Sequence, residues 1–437
     1  MSDLGSPRRV VITGAGLICP LGNEVASVWQ ALRDGQSAVD VLTRLPSDVM
    51  PMACGAEAKG FTGDIDQFGP LDKKLQRAIK KGQKLMCREI EMGVAAAQLA
   101  LTDAGLSVDQ RDPNRTGVVF GSDYIMTLPD EFTEGIHQCQ GEDGRFRFDK
   151  WGELGLPKVN PLWLLKYLPN MPASHVAIYN DLRGANNSLT LREASPGAAI
   201  AEARSIIGRG HVDAMLVGAT GTRINPFRTL HASMQEILAP GSEDPKSLAR
   251  PFDKNRTGAV VGEGAGVIVL EDYAFAKSRG ARILAEVVGA GSSAVGRSAS
   301  GEFLRQAIGN ALRAALGDAD AESVGHLNAH GISTPDGDRQ EAQGIVDVFG
   351  DAVPPVVAPK SNFGNLGAGG GMVEAILSVF ALGEGTLWPT LNYETPDPAC
   401  SVPVVTSGDS PAGDSFLSVN VSPQGQASAV HVVAASG

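Results

Sequence analysis

Short runs of small and β-branched apolar residues alternate with helical stretches along the whole chain, and that alternation leaves few folds open. The strand candidates are RRVVITGAG (8–16), GVVFGS (117–122), AMLVGAT (214–220), GVIVLED (266–272), ILAEVVGAG (283–291), PVVAPK (355–360) and FLSVNV (416–421). Helical patterns lie at 25–34, 73–104, 195–208, 301–316, 338–349 and 371–383. The second of these closes on Gly105, a residue suited to the left-handed position after a helix. Strand–helix alternation of this kind specifies an α/β layered fold, with sheets covered by helices. VVITGAG (10–16) and AEVVGAG (285–291) both open a strand onto glycines, a weak internal repeat that fits two similar halves. At 437 residues the chain has room for two domains or one large fold built from such halves. The stretch 124–172, irregular and carrying Trp151, Trp163 and several prolines, reads as a cap or insertion.

Composition removes several function classes. Aromatic residues make up only 5% and the net charge is −12, which argues against a stacking platform or a general nucleic-acid binder. The five cysteines (Cys19, Cys54, Cys87, Cys139 and Cys400) are scattered without a CxxC pair, so neither a metal site nor a disulfide framework is expected. No stretch of about 18 apolar residues occurs, and the start lacks the apolar core of a signal peptide. The expectation is a soluble, cytoplasmic protein with no membrane span.

Several long motifs occur in one order: VVITGAGLICPLGN at the start, RPFDKNRTGAVVGEGAGVIVLE (250–271), NAHGISTPDGDRQEA (328–342), PKSNFGNLGAGGGMVEAI (359–376) and PTLNYETPDP (389–398). Through them the chain resembles the elongating β-ketoacyl-acyl-carrier-protein synthases, from Arg9 to about Val433. The resemblance implies an α/β thiolase fold of five layers, αβαβα, with two mixed sheets around buried helices. Its two pseudo-symmetric halves would here be 1–254 and 255–437, with dimerisation across a strand of the first half. In that family a cysteine on a strand-to-helix turn takes the acyl chain from the carrier's phosphopantetheine arm. Two histidines assist decarboxylation of malonyl-carrier, a lysine–glutamate pair orders the site, and two backbone N–H groups hold the thioester oxygen. No bound cofactor is expected, because phosphopantetheine arrives on the acyl-carrier protein.

Carried over residue by residue, the resemblance puts Glu193 in the nucleophile's place, just before a helix starting near Ser195–Pro196. A carboxylate there is stabilised by the helix N-terminus and needs no catalytic explanation; Lys360 or Arg192 are its expected partners. His330 matches the first histidine, and Lys360 and Glu341 match the ordering ion pair. Asn365 stands at the second histidine's position; an amide donates a hydrogen bond but cannot relay a proton. Near the C-terminus, VNVSPQGQ puts Pro423, which has no N–H, at the gating position, with Gly425 remaining from the glycine-rich loop. Of two hydroxyls that hold the pantetheine arm, Thr334 is kept and Ile332 replaces the other. The basic run at 72–84 (Lys73, Lys74, Arg77, Lys80, Lys81, Lys84) is either a solvated helix face or a docking patch for an acidic carrier.

Four departures fall on one pocket while the scaffold motifs are kept. Two readings follow. The first is a non-condensing homologue, similar to the chain-length factors of aromatic polyketide systems. It would act as a homodimer or, more tellingly, as a heterodimer with a cysteine-bearing ketosynthase, shaping the acyl tunnel and docking carrier. The second keeps an enzyme in which Glu193 and His330 form an acid–base pair on acyl-carrier thioesters, for decarboxylation, dehydration or hydrolysis.

Overall fold

A computed structural model describes residues 8–45, 50, 52–297 and 301–435. Its strands are β1 (Val10–Ile18), β2 (Asp40–Val41), β3 (Cys54–Ala56), β4 (Thr116–Ser122), β5 (Asn186–Thr190) and β6 (Ala214–Thr222), then β7 (Val261–Asp272), β8 (Ala285–Ala294), β9 (His326–Asn328), β10 (Val356–Val357), β11 (Ser415–Val421) and β12 (Gln426–Ala434). Hydrogen bonding orders them β10-β9-β11-β12-β8-β1-β7-β6-β4-β5, with β2 and β3 as a side ladder on β7.

That order contains the same array twice. Taking β1, β4, β5, β6 and β7 as one set and β8 to β12 as the other, each reads third-second-fourth-fifth-first in chain order. The directions also match: parallel among β4, β5 and β6 and among β9, β10 and β11, antiparallel through β7 and β12 to β1 and β8. The arrays change over between Asp272 and Ala285. The expected division at 254/255 would therefore cut β7 from the array it hydrogen-bonds with. The two sheet layers are hydrogen-bonded into one strand order by a short antiparallel contact of Val11 with Glu286 and Ile12 with Ala285.

The repeat of VVITGAG and AEVVGAG has a packing cause. Helix Arg88–Asp103 lies on β1, and helix Phe303–Leu316 lies equivalently on β8. A Cβ at Gly16 would overlap the Ala96 carbonyl, and one at Gly291 would overlap the Ala311 carbonyl. Only glycine lets helix backbone come this close to strand. Between the arrays, helices Ser195–Gly208 and Gly370–Glu384 touch each other and strands of both halves. The first has a low polar content (SPGAAIAEARSIIG), and the second is almost wholly buried, as helices covered on all sides must be. The order helix, sheet, helix pair, sheet, helix is the layered thiolase-type arrangement.

Helix 73–104 does not form as one piece. It runs Lys73–Gly82, breaks at an extended Met86 and Cys87, and resumes at Arg88–Asp103. It closes through Leu106 N–H to the Leu101 carbonyl and Gly105 at φ 58°, as the TDAG ending implies. The stretch 124–172 holds a helix, Asp130–Gln138, and several single helical turns, with Phe132 packed edge-on against Trp163. Among the described residues no helix is long and apolar enough to cross a membrane, and no His/Cys/Asp/Glu group is arranged to hold a metal.

Candidate active site

The parallel strands of each array point their C-terminal ends to one place, where α/β sheets habitually build sites. From the first half come Asp123 after β4, Glu193 after β5 and Arg223 after β6; from the second come His330 after β9, Lys360 after β10 and Asn420 on β11. Of these, Glu193 and His330 line a cavity of about 400 Å³, together with Glu236, Ile332, Thr334 and Pro423.

Glu193 sits in the turn Arg192–Ala194, immediately ahead of the helix that begins at Ser195 with Pro196 in its first turn. Arg192 holds φ at 57°, a left-handed conformation costly for a residue with a Cβ. The turn thereby sends the Arg192 and Glu193 side chains inward, 7% and 1% exposed. The partner of Glu193 is neither Lys360 nor chiefly Arg192. It is Arg223, wholly buried, which donates to Glu193 and, at 3.0 and 3.1 Å, to Glu236. Arg192 Nε lies 3.6 Å from the second Glu193 oxygen, while its Nη atoms donate to Gln235 (2.6 Å), Gln424 (2.9 Å) and Glu236 (3.1 Å). Asp123 accepts from Arg228 and lies 3.5 Å from Arg192 Nε, closing a network of three arginines and three carboxylates. Burial alone would raise the Glu193 pKa, but the charges of Arg223 and Arg192 outweigh it and hold the carboxyl down to about 2. Asp123, less favourably paired, is pushed up to about 6 by burial.

On the opposite wall His330 is 3% exposed, and its Nδ1 lies 3.0 Å from Asn420 Oδ1. Lys360 Nζ donates to the same oxygen at 3.3 Å, and Asn420 Nδ2 faces Glu374 Oε2 at 3.3 Å. With Oδ1 thus fixed as the acceptor, His330 carries its proton on Nδ1 and keeps Nε2 as a bare acceptor. Burial, reinforced by the Lys360 charge, lowers its pKa to about 3, so the ring is neutral.

Two family models match this chain: the β-ketoacyl synthase N-terminal domain over residues 7–276 and the β-ketoacyl synthase C-terminal domain over 284–394. The chain belongs to the β-ketoacyl synthase family. It is 34% identical over 406 residues to a 3-oxoacyl-[acyl-carrier-protein] synthase 2 of Vibrio cholerae, covering 92% of both chains. It is 31% identical over 412 residues to that of Synechocystis, covering 91% of both. Among solved structures, a β-ketoacyl synthase from Burkholderia phymatum superposes with a TM-score of 0.83 at 28% identity, covering 98% of this chain and 100% of that one. The ishigamide ketosynthase/chain length factor gives 0.82 at 25%, covering 99% and 100%.

Within this family frame, several expected roles change. Lys360 pairs with Glu374 at 2.5 Å rather than with Glu341. Glu341 instead accepts the backbone N–H groups of His330 (2.6 Å) and Gly331 (2.8 Å), and burial plus the charge of Asp338 pushes it up to about 8. Asn365 is buried but does not line the cavity. Its Oδ1 accepts the Gly367 N–H at 3.0 Å, so the amide serves its own loop. Gly425 shapes the β11–β12 turn at φ 85°, where a Cβ would strike the Val295 carbonyl; it is not among the residues lining the cavity. Thr334 and Pro423 line the cavity, and Ile332 presents hydrocarbon to it. None of the five cysteines lines it: Cys54, on β3, packs in a separate small cluster with Val39, Ala239 and Val260. The basic helix Lys73–Gly82 is capped by Asp72 at its N-terminus, and Lys73, Lys74, Arg77, Lys80, Lys81 and Lys84 are all exposed and make no ion pair among the described residues.

Sequence reading missed Arg223, Glu236, Asn420 and Glu374. Arg223 had one available signal, an arginine directly after the strand AMLVGATGT, whose apolar character marks a buried end. Glu374 lies inside the GGGMVEAI run of an all-buried helix, where a charge implies a partner.

Proposed function

We propose that this chain is a β-ketoacyl synthase homologue of fatty-acid or polyketide biosynthesis that docks acyl-carrier protein without condensing, as the partner subunit of a cysteine-bearing synthase. One observation carries the reading: the side chain at the floor of the cavity, on the strand-to-helix turn, is a carboxylate already committed to Arg223. A thioester requires a thiolate, and Glu193 offers no sulfur, only a carboxylate held by the charges of Arg223 and Arg192. The relatives that share about a third of the sequence act, by their names, on acyl-carrier substrates, which supports carrier binding here. The ishigamide ketosynthase/chain length factor offers a parallel for a partner role.

The acid–base reading has the shared cavity in its favour, since Glu193 and His330 both line it. It loses ground on chemistry: a carboxyl held near 2 is a poor base, and at neutral pH it has no proton to give.

The test is incubation of the purified protein with acyl-carrier and malonyl-carrier, read by mass spectrometry of the carrier. Intact substrates are expected from this chain alone; a β-ketoacyl product would overturn the non-condensing reading, and release of CO₂ dependent on Glu193 would favour the acid–base reading. Native mass spectrometry with a cysteine-bearing synthase should give a heterodimer, and persistent homodimers alone would count against a partner role.

A further inference from the structure

The cavity has a mouth and a floor of different character. Its mouth is formed by the exposed residues Ile237, Arg297, Gly301 and Asp336, and its walls by Phe303, Leu304, Ile332 and Val421. Its floor is Glu193 and Glu236, 1% and 4% exposed as side chains. Behind that floor lies charge rather than hydrocarbon. Arg223 is wholly buried between the two floor carboxylates, Arg192 reaches Gln235, Gln424 and Glu236, and Arg228 holds Asp123.

We infer that the cavity is a closed-ended slot, admitting a carrier arm that bears a free thiol or an uncharged two-carbon acyl group and excluding longer acyl chains. This rests on the carrier-docking reading above. A hydrocarbon chain passing Glu193 would have to part a charge-balanced network of three guanidinium and three carboxylate groups. Nothing in a methylene chain replaces the hydrogen bonds broken, so each charge would be left buried and unpaired. Nor can the floor swing aside alone. Arg192 ties the strained nucleophile turn to the end of helix Pro226–Gln235 through Gln235, and to the β11–β12 turn through Gln424. A volume of about 400 Å³ lies toward the small end of ligand pockets. The Glu193 carboxylate at the floor, held in its charged form by Arg223 and Arg192, also selects against a malonyl end. Arg192, Arg223 and Glu236 are thus the residues that set acyl length, by blocking rather than by fitting.

Binding of pantetheine and of S-acetyl-, S-hexanoyl- and S-dodecanoyl-pantetheine to the intact protein, followed by ligand-observed NMR, tests this without needing a carrier to dock. Pantetheine and its acetyl thioester should bind within about twofold of each other, and the dodecanoyl thioester at least about tenfold more weakly. In an open tunnel each added methylene strengthens binding, so affinity that rises with chain length would overturn the inference. The same acyl series on carrier protein separates the two claims. Short pantetheines binding while no carrier docks would sink the carrier reading and leave the slot standing. A carrier that docks equally well with dodecanoyl and free-thiol arms would do the reverse.

Discussion

At the scale of single residues, the site is governed by which buried charge has which partner. Removing one member of a buried pair strands the other, at a cost of about 3–5 kcal/mol. Arg223 keeps Glu236 when Glu193 is lost, so Glu193→Ala should destabilise by about 3 kcal/mol, the low end of that range, and Glu193→Gln by less. Urea unfolding midpoints of the two variants measure this; an unchanged midpoint for Glu193→Ala would mean the network is not structural. Glu341 makes the opposite contribution. Its folded pKa of about 8 lies above the ordinary glutamate value of about 4.3, so its stabilising protonated form is lost as pH rises. Stability should therefore fall from about pH 5 to pH 8, by at most about 1.4 kcal/mol per pH unit for this one group. Asp338, pushed up to about 6 by burial, adds to the lower part of that fall. Glu341→Gln should flatten the decline in a series of urea midpoints, and an unaltered slope would place the titration elsewhere. Glu193, held near 2, works with the other sign: its stabilisation is present above about pH 4 and disappears toward pH 2. These residues were partly legible in the sequence. Glu193 and His330 stood out because they occupy motif positions. Arg223 and Asn420 did not, because their roles come from being opposite those positions in space, Arg223 lying 30 residues from Glu193 and Asn420 lying 90 from His330.

At the scale of elements, glycine spacing proved more informative than strand propensity. The strands that sequence reading found are the long apolar ones, β1, β4, β6, β7, β8 and β11. Those it missed are the short β2 and β3, the polar edge strand β5 (NNSLT), the three-residue β9, and β12, whose small residues give no alternation. PVVAPK yields only two strand residues at β10, because Lys360 already opens a helical turn. By contrast the two GAG segments mark equivalent strands, each pressed on by a helix backbone. Gly291→Ala should then cost about 1–3 kcal/mol through overpacking against Ala311 and Ala314. Gly60→Ala, where a Cβ meets nothing within 4 Å, should change stability by less than about 0.5 kcal/mol. Equal melting temperatures for the two variants would contradict the close-approach account of the repeat. The break between helices Lys73–Gly82 and Arg88–Asp103 had no comparable signal. Just before it the helix Met171–Asn180 comes close enough that a Cβ at Gly82 would collide with the Tyr179 hydroxyl.

At the scale of the whole molecule, charge is unevenly placed. The chain carries −12 overall, so a second acidic protein is repelled except where cations are concentrated. The helix Lys73–Gly82 and the following Lys84 gather six exposed cations, and its buried contact is a single side chain, Ile79. A face so lightly committed to the core tolerates charge reversal without unfolding. Lys80→Glu combined with Lys81→Glu should therefore leave the melting temperature within a degree or two while weakening carrier binding about tenfold at low salt. Screening sets the second half of the expectation. The Debye length shrinks from about 10 Å at 0.1 M salt to about 3 Å at 1 M, so the difference between wild type and variant should largely vanish at high salt. Measured by titration with holo-carrier, the pattern should appear mainly as a slower association rate, because exposed rim charges steer encounter more than they hold the complex. A variant that binds carrier as wild type does at low salt would move the docking surface elsewhere, and the helix would then be a solvated face and nothing more.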